Sequence, residues 1–316
     1  MRNGKFSILM MCVAALTLAA QETRLAGPVS GVLFDPQARA LRPILGVMGA
    51  SYLGDAVVAG LDYASVSPNG KFAVAIRPDG ALLVRGLDEG RADQFALETP
   101  AGVTHAAWSA DSSAVALWND AGHVEAWRDL ATTARLALSA DLGKIVAVAV
   151  AADGSNLAAA TEAGAIVLAD GTAVRQILAL ERPAALALAG SRLFVADAAR
   201  DEILSLANYA EAGDAQMFAN GARGVSDPKA MAVSPDQKAL LVAGKAARSL
   251  TAFDLGTSEI LAVAELDFEP TRLERFSGSL FALTNGVGGV PFEVLDSTRS
   301  LAVYFVPAEP AVVVED

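Results

Sequence analysis

A repeat of about 42 residues runs through most of this chain. One acidic or amide residue recurs at equivalent turn positions: Asn69, Asp111, Asp153 and Asp236. The intervals between them are 42, 42 and 83 residues, and a divergent copy at 183–208 lies within the last interval. Aspartates also recur where a later strand ends, 41, 84 and 42 residues apart: Asp129, Asp170, Asp254 and Asp296. Two independent markers with one period indicate similar supersecondary units that stack against their neighbours.

Each copy alternates short apolar runs with turn residues. Residues 72–76 and 114–118 are typical runs, and their length and composition favour strands. The intervening turns, such as SPNG at 67–70 and RPDG at 77–80, combine proline, Asn or Asp, and glycine. Helical spacing with caps is hard to find beyond the N-terminus. The pattern therefore predicts an all-β chain made of four-stranded units.

Counting the copies predicts a β-propeller with seven blades. Six copies contain all four strands and begin near Leu61, Val103, Ile145, Pro183, Pro228 and Pro270. Residues 31–47 resemble only the third and fourth strands, and 311–315 (AVVVE) is a further apolar strand. We expect these two segments to share a closing blade, with the N-terminal segment outside and the C-terminal strand inside. This arrangement pairs strand edges that would otherwise be exposed. The alternative is a six-bladed ring with a separate hairpin.

The first twenty residues resemble an export signal. Arg2 and Lys5 precede a fifteen-residue apolar run at 6–20, and cleavage is expected after Ala19 or Ala20. A membrane anchor is the alternative, but a spanning helix needs about 20 apolar residues. The predicted organisation is a signal peptide at 1–20, a short lead at 21–30 and a single propeller domain at 31–316. The mature protein is expected in the periplasm or outside the cell, with no membrane insertion.

Composition narrows the possible chemistry and partners. Cys12 is the only cysteine and lies in the predicted signal, so the mature chain offers no disulfide, thiol nucleophile or thiolate metal site. The formal net charge is −12, and removal of Arg2 and Lys5 makes it −14. An acidic protein repels phosphate backbones and anionic lipids, which disfavours nucleic acid and membrane surfaces as partners.

One copy resembles a known repeat family. In residues 103–130, Trp108, Ser109 and Asp111 lie where WD40 repeats have an aromatic, Ser, Pro, Asp turn. The segment VEAWRDL at 124–130 resembles the WD40 third strand, although Arg128 separates the Trp from the Asp. The Gly-His start and the buried polar tetrad are not evident in most copies, so looser bacterial WD40-like propellers, including the YVTN type, are more similar. The resemblance covers about 31–307 and implies the fold, while propellers host both binding and catalysis.

The sequence predicts no catalytic, cofactor-binding or metal-binding residue. His105, in a first strand, is interpreted as a structural, hydrogen-bonded histidine between blades rather than a general base. His123 is interpreted as an exposed turn residue, and 153–156 as a β-turn rather than a calcium loop. Asp62 and Glu274 lie in first strands, which line a propeller's channel, but two scattered acids do not form a metal-binding ring. Further features are interpreted as structural: Trp108, Trp118 and Trp127 as core residues, and 286–289 as a loop.

The leading functional hypothesis is therefore a non-catalytic exported scaffold that binds a protein or small ligand through rim loops. The spacing between Val47 and Gly60 is about ten residues longer than the repeat predicts. This excess predicts a protruding loop that contains Tyr52 and is the first candidate surface. A lactonase-like, metal-dependent hydrolase with its site in the central channel is the alternative. A purely structural module of a larger envelope assembly is a third possibility.

Overall fold

The computed structural model describes residues 28–99, 102–211, 213–284, 292–298 and 300–307. These residues form seven antiparallel sheets arranged in a ring, which confirms the predicted seven-bladed β-propeller. The six-bladed alternative is wrong. The predicted signal peptide, most of the lead, the loop at 286–289 and the strand at 311–315 lie outside the described residues. No helix in the described ranges is long and apolar enough to cross a membrane.

The blades follow one another along the chain. Blade 1 contains β1 (Val29–Asp35), β2 (Ala40–Val47), β3 (Ala50–Leu53) and β4 (Val58–Ala59). Blade 2 contains β5 (Tyr63–Val66), β6 (Phe72–Arg77), β7 (Gly80–Arg85) and β8 (Asp93–Leu97). Blade 3 contains β9 (Val103–Trp108), β10 (Ala114–Asn119), β11 (His123–Arg128) and β12 (Arg135–Asp141). Blade 4 contains β13 (Ile145–Val150), β14 (Leu157–Thr161), β15 (Ala165–Ala169) and β16 (Val174–Ala179).

The last three blades keep the same plan. Blade 5 contains β17 (Pro183–Ala189), β18 (Arg192–Asp197), β19 (Glu202–Leu206) and β20 (Gln216–Asn220). Blade 6 contains β21 (Pro228–Val233), β22 (Ala239–Gly244), β23 (Ser249–Asp254) and β24 (Ile260–Glu265). Blade 7 contains β25 (Glu274–Ser277), β26 (Leu280–Ala282), β27 (Phe292–Asp296) and β28 (Ala302–Val306). Short 3₁₀ segments occur at Leu87–Glu89, Tyr209–Glu211 and Gly221–Arg223.

The middle strands are buried on both faces because each blade packs between two others. All five residues of β14 and all six residues of β22 are buried. Alanines allow the sheets to approach closely, and larger side chains fill the wider spaces between blades. Between blades 5 and 6, Phe218 contacts Phe194 and Phe253 edge-to-face at centroid distances of 4.9 and 6.0 Å. The core is therefore distributed between neighbouring blades.

Blade 1 differs from the others in the direction of β1, the strand with which it begins along the chain. A side chain at Gly31, early in β1, would collide with Phe276 near the end of β25. After β1 ends, Arg39 donates to the carbonyl of Leu61, just before β5 begins, at 3.1 Å. β1 therefore runs antiparallel to β5 and β25, which are the first strands of the two neighbouring blades. In every other blade, the second strand has this direction relative to the first strands. Residues 31–47 thus form second and third strands, and their assignment to the third and fourth positions is wrong.

The segment 47–60 forms the outer edge of this blade rather than protruding from it. β3 and β4 pair in succession with one edge of β2, while β1 occupies the other edge. The two short strands together take the place of a fourth strand. The amide of Leu53 donates to the carbonyl of Pro307 at 3.0 Å, so blade 1 is joined to the end of blade 7. The predicted loop is therefore wrong, because its extra residues supply strands that close the ring.

Candidate functional site

The two ends of the disc are built from different connections. First strands such as β13, β17 and β21 contact one another around the axis, so they line the channel. They begin at the end that we call the channel end, together with the hairpins between second and third strands. We call the opposite end the turn end, because it holds the turns that join first to second and third to fourth strands.

At the turn end, polar side chains mainly stabilise their own turns. The hydroxyl of Ser109 donates to Asp111 Oδ1 at 2.7 Å and accepts the amide hydrogen of Ala114 at 2.9 Å. Ser67 and Ser234 make the equivalent pairs of bonds in blades 2 and 6. Asp153 Oδ1 accepts hydrogen bonds from the amide and the hydroxyl of Ser155, so this carboxylate is bonded within the predicted turn. These groups are already bonded and offer little to a ligand.

At the channel end, blades 4 to 6 and the link before blade 7 surround a pocket of about 460 Å³. Its volume lies in the range of roughly 300–1,000 Å³ that is usual for small-ligand sites. The first strands β13, β17 and β21 contribute the apolar part through Val146, Pro183, Ala184 and Pro228. Proline adds ring surface and no N–H donor, so these strand starts form a largely apolar floor. Charged side chains also line the pocket: Glu162, Glu181, Arg182, Asp227, Lys229, Lys245 and Glu269.

Ion pairs arrange most of these charges around the pocket. Arg182 Nη2 lies 3.2 Å from Asp227 Oδ1, which joins blade 5 to blade 6. Lys245 Nζ lies 3.6 Å from Glu269 Oε2, which joins blade 6 to the link before blade 7. Lys229 is exposed, and its ammonium group has no ion-pair partner among the described residues. The site thus presents both signs of charge, with one cation free to bind an anion.

The pocket residues escaped the sequence analysis, although a signal was present. An acidic residue stands one or two positions before each of Pro183, Pro228 and Pro270, at the start of three successive copies. Pro183 and Pro228 belong to the floor of the pocket, and Pro270 belongs to the link before blade 7. The acidic residues that precede them are Glu181, Asp227 and Glu269. The recurrence of an acid before proline could have marked this end of the disc.

The two histidines lie outside this pocket. His105 belongs to β9, where its Nε2 is 3.2 Å from Asp120 Oδ1 and its ring stacks on Trp118. Both partners belong to blade 3, so His105 is hydrogen-bonded as expected but does not bridge two blades. His123 is the first residue of β11 rather than an exposed turn residue, and its Nδ1 is 2.7 Å from Asp141 Oδ1. Neither histidine contributes to the lining of the channel-end pocket.

The two carboxylates that were predicted to line the channel form ion pairs with arginines. Asp62 forms an ion pair with Arg39 from blade 1, and Glu274 lies 3.3 Å from Arg272 Nη1. Burial raises the pKa of Tyr63, and the nearby Glu274 carboxylate adds to that effect. In the described parts of the chain, no three His, Cys, Asp or Glu side chains are grouped to hold a metal ion. The geometry therefore favours structural roles for these groups.

The three tryptophans stabilise blade 3 and its contact with blade 2. Trp118 and Trp127 are buried, and Trp127 Nε1 donates to Glu125 Oε2 at 3.1 Å. Trp108 Nε1 donates across to Ser65 of β5 at 3.1 Å. These positions agree with the predicted core packing.

Comparison with known proteins identifies the architecture. No protein-family model and no curated protein sequence matches the chain. One similar solved structure is "Crystal structure of Nidogen/Laminin Complex", with a TM-score of 0.51 and 15% sequence identity. The match covers 74% of this chain and 92% of that chain. At this identity the similarity shows the fold alone.

Proposed function

We propose that this protein is a non-catalytic binding scaffold that recognises a partner at the channel-end pocket. The observation that carries the proposal is the ring of charged side chains around the proline-containing floor, with Lys229 free of an ion-pair partner. Rigid blades hold these groups in place, which lowers the conformational entropy lost on binding. The favoured partner is a short protein segment that carries both charges and places a carboxylate against Lys229. The similar nidogen structure is itself a protein complex.

The proposal also places the mature protein in the periplasm or outside the cell. Its support is the basic start, the apolar run at 6–20 and the small residues that precede Gln21. Cleavage after Ala19 or Ala20 would remove the only cysteine, so folding would not depend on thiol chemistry in an oxidising compartment.

Binding from a displayed library of short random peptides would test the site. We expect the purified protein to enrich peptides that combine acidic and basic residues, and a Lys229→Glu variant to lose them by at least about tenfold in affinity. Lys238→Glu is the matched control, because it introduces the same charge change at the turn end. Equal loss in both variants, or no loss in either, would contradict recognition at the pocket.

The hydrolase alternative makes a separate prediction. A channel metal would be retained by the purified protein in a fixed ratio, and elemental analysis would detect it. We expect no stoichiometric divalent metal, since the described channel acids Asp62 and Glu274 already pair with arginines. Stoichiometric calcium or zinc, with activity on lactones, would replace the scaffold proposal.

A further inference from the structure

The outer edge of blade 6 exposes more large apolar side chains than any other outer strand described. In β24, Ile260, Leu261 and Val263 are 46, 57 and 55% exposed. The outer strands β8, β12, β16, β20 and β28 each contain one such residue. β24 is also the last strand of its sheet, so one edge of its backbone has no partner strand within the described residues. An edge of this kind is a template for pairing with another strand.

Several other outer strands carry features that discourage such pairing, although β20 has no charged residue either. In blade 2, the guanidinium of Arg85 lies 4.2 Å from the ring centre of Phe95 and covers part of it. The edge strand β12 contains Arg135 and Asp141, and β28 lies beside β3 of blade 1. By contrast, β24 has no charged residue before Glu265 at its end. Charged residues on edge strands normally oppose unwanted association.

The strand is complementary to itself when two copies run antiparallel. Val263 and Glu265 lie on one face, opposite Thr251 and Ser249 of β23, while Ala262 and Ala264 pack toward the core. A two-fold axis at Val263 places Val263 against Val263 and Ala262 against Ala264 of the second copy. The exposed side chains of the two strands then share one face of the joined sheet, and the alanines share the other. A shift by one residue would place core-facing alanines beside exposed side chains.

Charge complementarity favours the same register. A groove of about 390 Å³ lies along this face of β24, and its charged lining residues are Arg223, Arg248 and the chain's own Glu265. Arg223 Nη1 donates to the carbonyl of Ser258 at 2.8 Å, and the Arg248 side chain has no partner in the described parts of the chain. Neither arginine pairs with a carboxylate there. In the antiparallel register, Glu265 of the second copy lies opposite Leu261, at the Ile260 end of the groove.

We propose that the protein forms a two-fold dimer by antiparallel pairing of β24 with β24 of a second copy. Such a contact is isologous, so each favourable interaction occurs twice. One six-residue strand and its flanking groove are smaller than the roughly 800 Å² per partner of a standard interface, so the dimer is weak and depends on concentration. The dimer site is separate from the channel-end pocket, and its test does not depend on the proposed function.

Sedimentation equilibrium of the purified protein over a range of concentrations tests the dimer. We expect reversible dimerisation of the unmodified chain and a loss of at least about tenfold in association for Val263→Lys, because two ammonium groups would meet at the axis. Val174→Lys is the matched control, since Val174 lies on the outer strand β16 and is 51% exposed. We expect this control to dimerise like the unmodified chain.

Disulfide formation provides an independent measurement in a Cys12→Ser background. Directly opposed residues of antiparallel strands have Cα atoms about 4.5–5.5 Å apart, which suits a disulfide. We expect Val263→Cys to form a covalent dimer on mild oxidation much faster than Val174→Cys. A monomeric unmodified chain at every concentration, or equal cross-linking of the two cysteine variants, would overturn the proposal.

Discussion

Asp111 at the turn end and Asp227 at the channel end show how differently the two ends of the disc use a carboxylate. Asp111 accepts hydrogen bonds from Ser109 and Ser113, all within one turn of blade 3. Asp227 pairs with Arg182 of the preceding blade and borders an open pocket. Hydrogen bonds within one turn, such as those of Asp111, stabilise the fold. An ion pair between two blades, such as that of Asp227, keeps charged groups at the surface, where a partner can contact them. The comparison indicates that stability and binding can be changed separately.

Low pH should decrease the stability that the turn end contributes more than any single substitution does. The pKa values of five turn-end carboxyls are lowered: Asp111, Asp153, Asp170, Asp236 and Asp254. For Asp111 burial acts in the opposite direction, but hydrogen bonds from Ser113 and Ser109 outweigh it. Hydrogen bonds within the turns cause the shift in the other four.

A lowered folded-state pKa means that these bonds stabilise the protein above the unfolded value of about 4. The stabilisation is lost as the pH falls through the lower folded-state values. Urea midpoints should therefore change little between about pH 7 and 5 and then decrease toward about pH 3. Asp111→Asn should make this decrease shallower, and an unchanged pH profile would show that its turn contributes nothing.

Removing one turn hydroxyl should have the next largest effect. Ser109 is buried, so Ser109→Ala leaves the amide of Ala114 without its acceptor and removes one of the hydrogen bonds to Asp111. We expect a loss of about 1–3 kcal/mol in the free energy of unfolding, measured with urea. Peptide binding at the channel end should remain unchanged. Ser139→Ala on the exposed strand β12 is the control and should change stability by less than about 0.5 kcal/mol.

Blade 4 allows the smallest and opposite change. Ala151 occupies the position of Ser109, and its amide donates to the carbonyl of Asn156 at 3.0 Å, as Ser109 does to Ala114. Ala151→Ser should add the missing hydroxyl bonds and raise the free energy of unfolding by about 0.5–1.5 kcal/mol. A decrease would show that this turn cannot accommodate the arrangement found in blades 2, 3 and 6.

The turn end was largely predictable because its interactions are local. Most Ser, Asp and Gly residues there act within about five residues, and the same pattern recurs in several copies. Ser112 and Ser113 also make hydrogen bonds with the neighbouring blades. The channel-end pocket was not predictable in the same way, since Arg182 and Asp227 are separated by 45 residues along the chain. Their meeting depends on how blades 5 and 6 are placed around the axis. Only the acid before each proline was visible beforehand.

The amino-acid sequence alone determined the repeat length and the strand content, and it favoured seven blades over six, because these features follow from periodic burial of small aliphatic residues. The tertiary structure decided which strand positions the N-terminal segment fills. Segments 31–47 and 47–60 form second, third and fourth strands because β1 runs against β5 and β25. Strand direction depends on the neighbours on both sides, and those neighbours come from opposite ends of the chain.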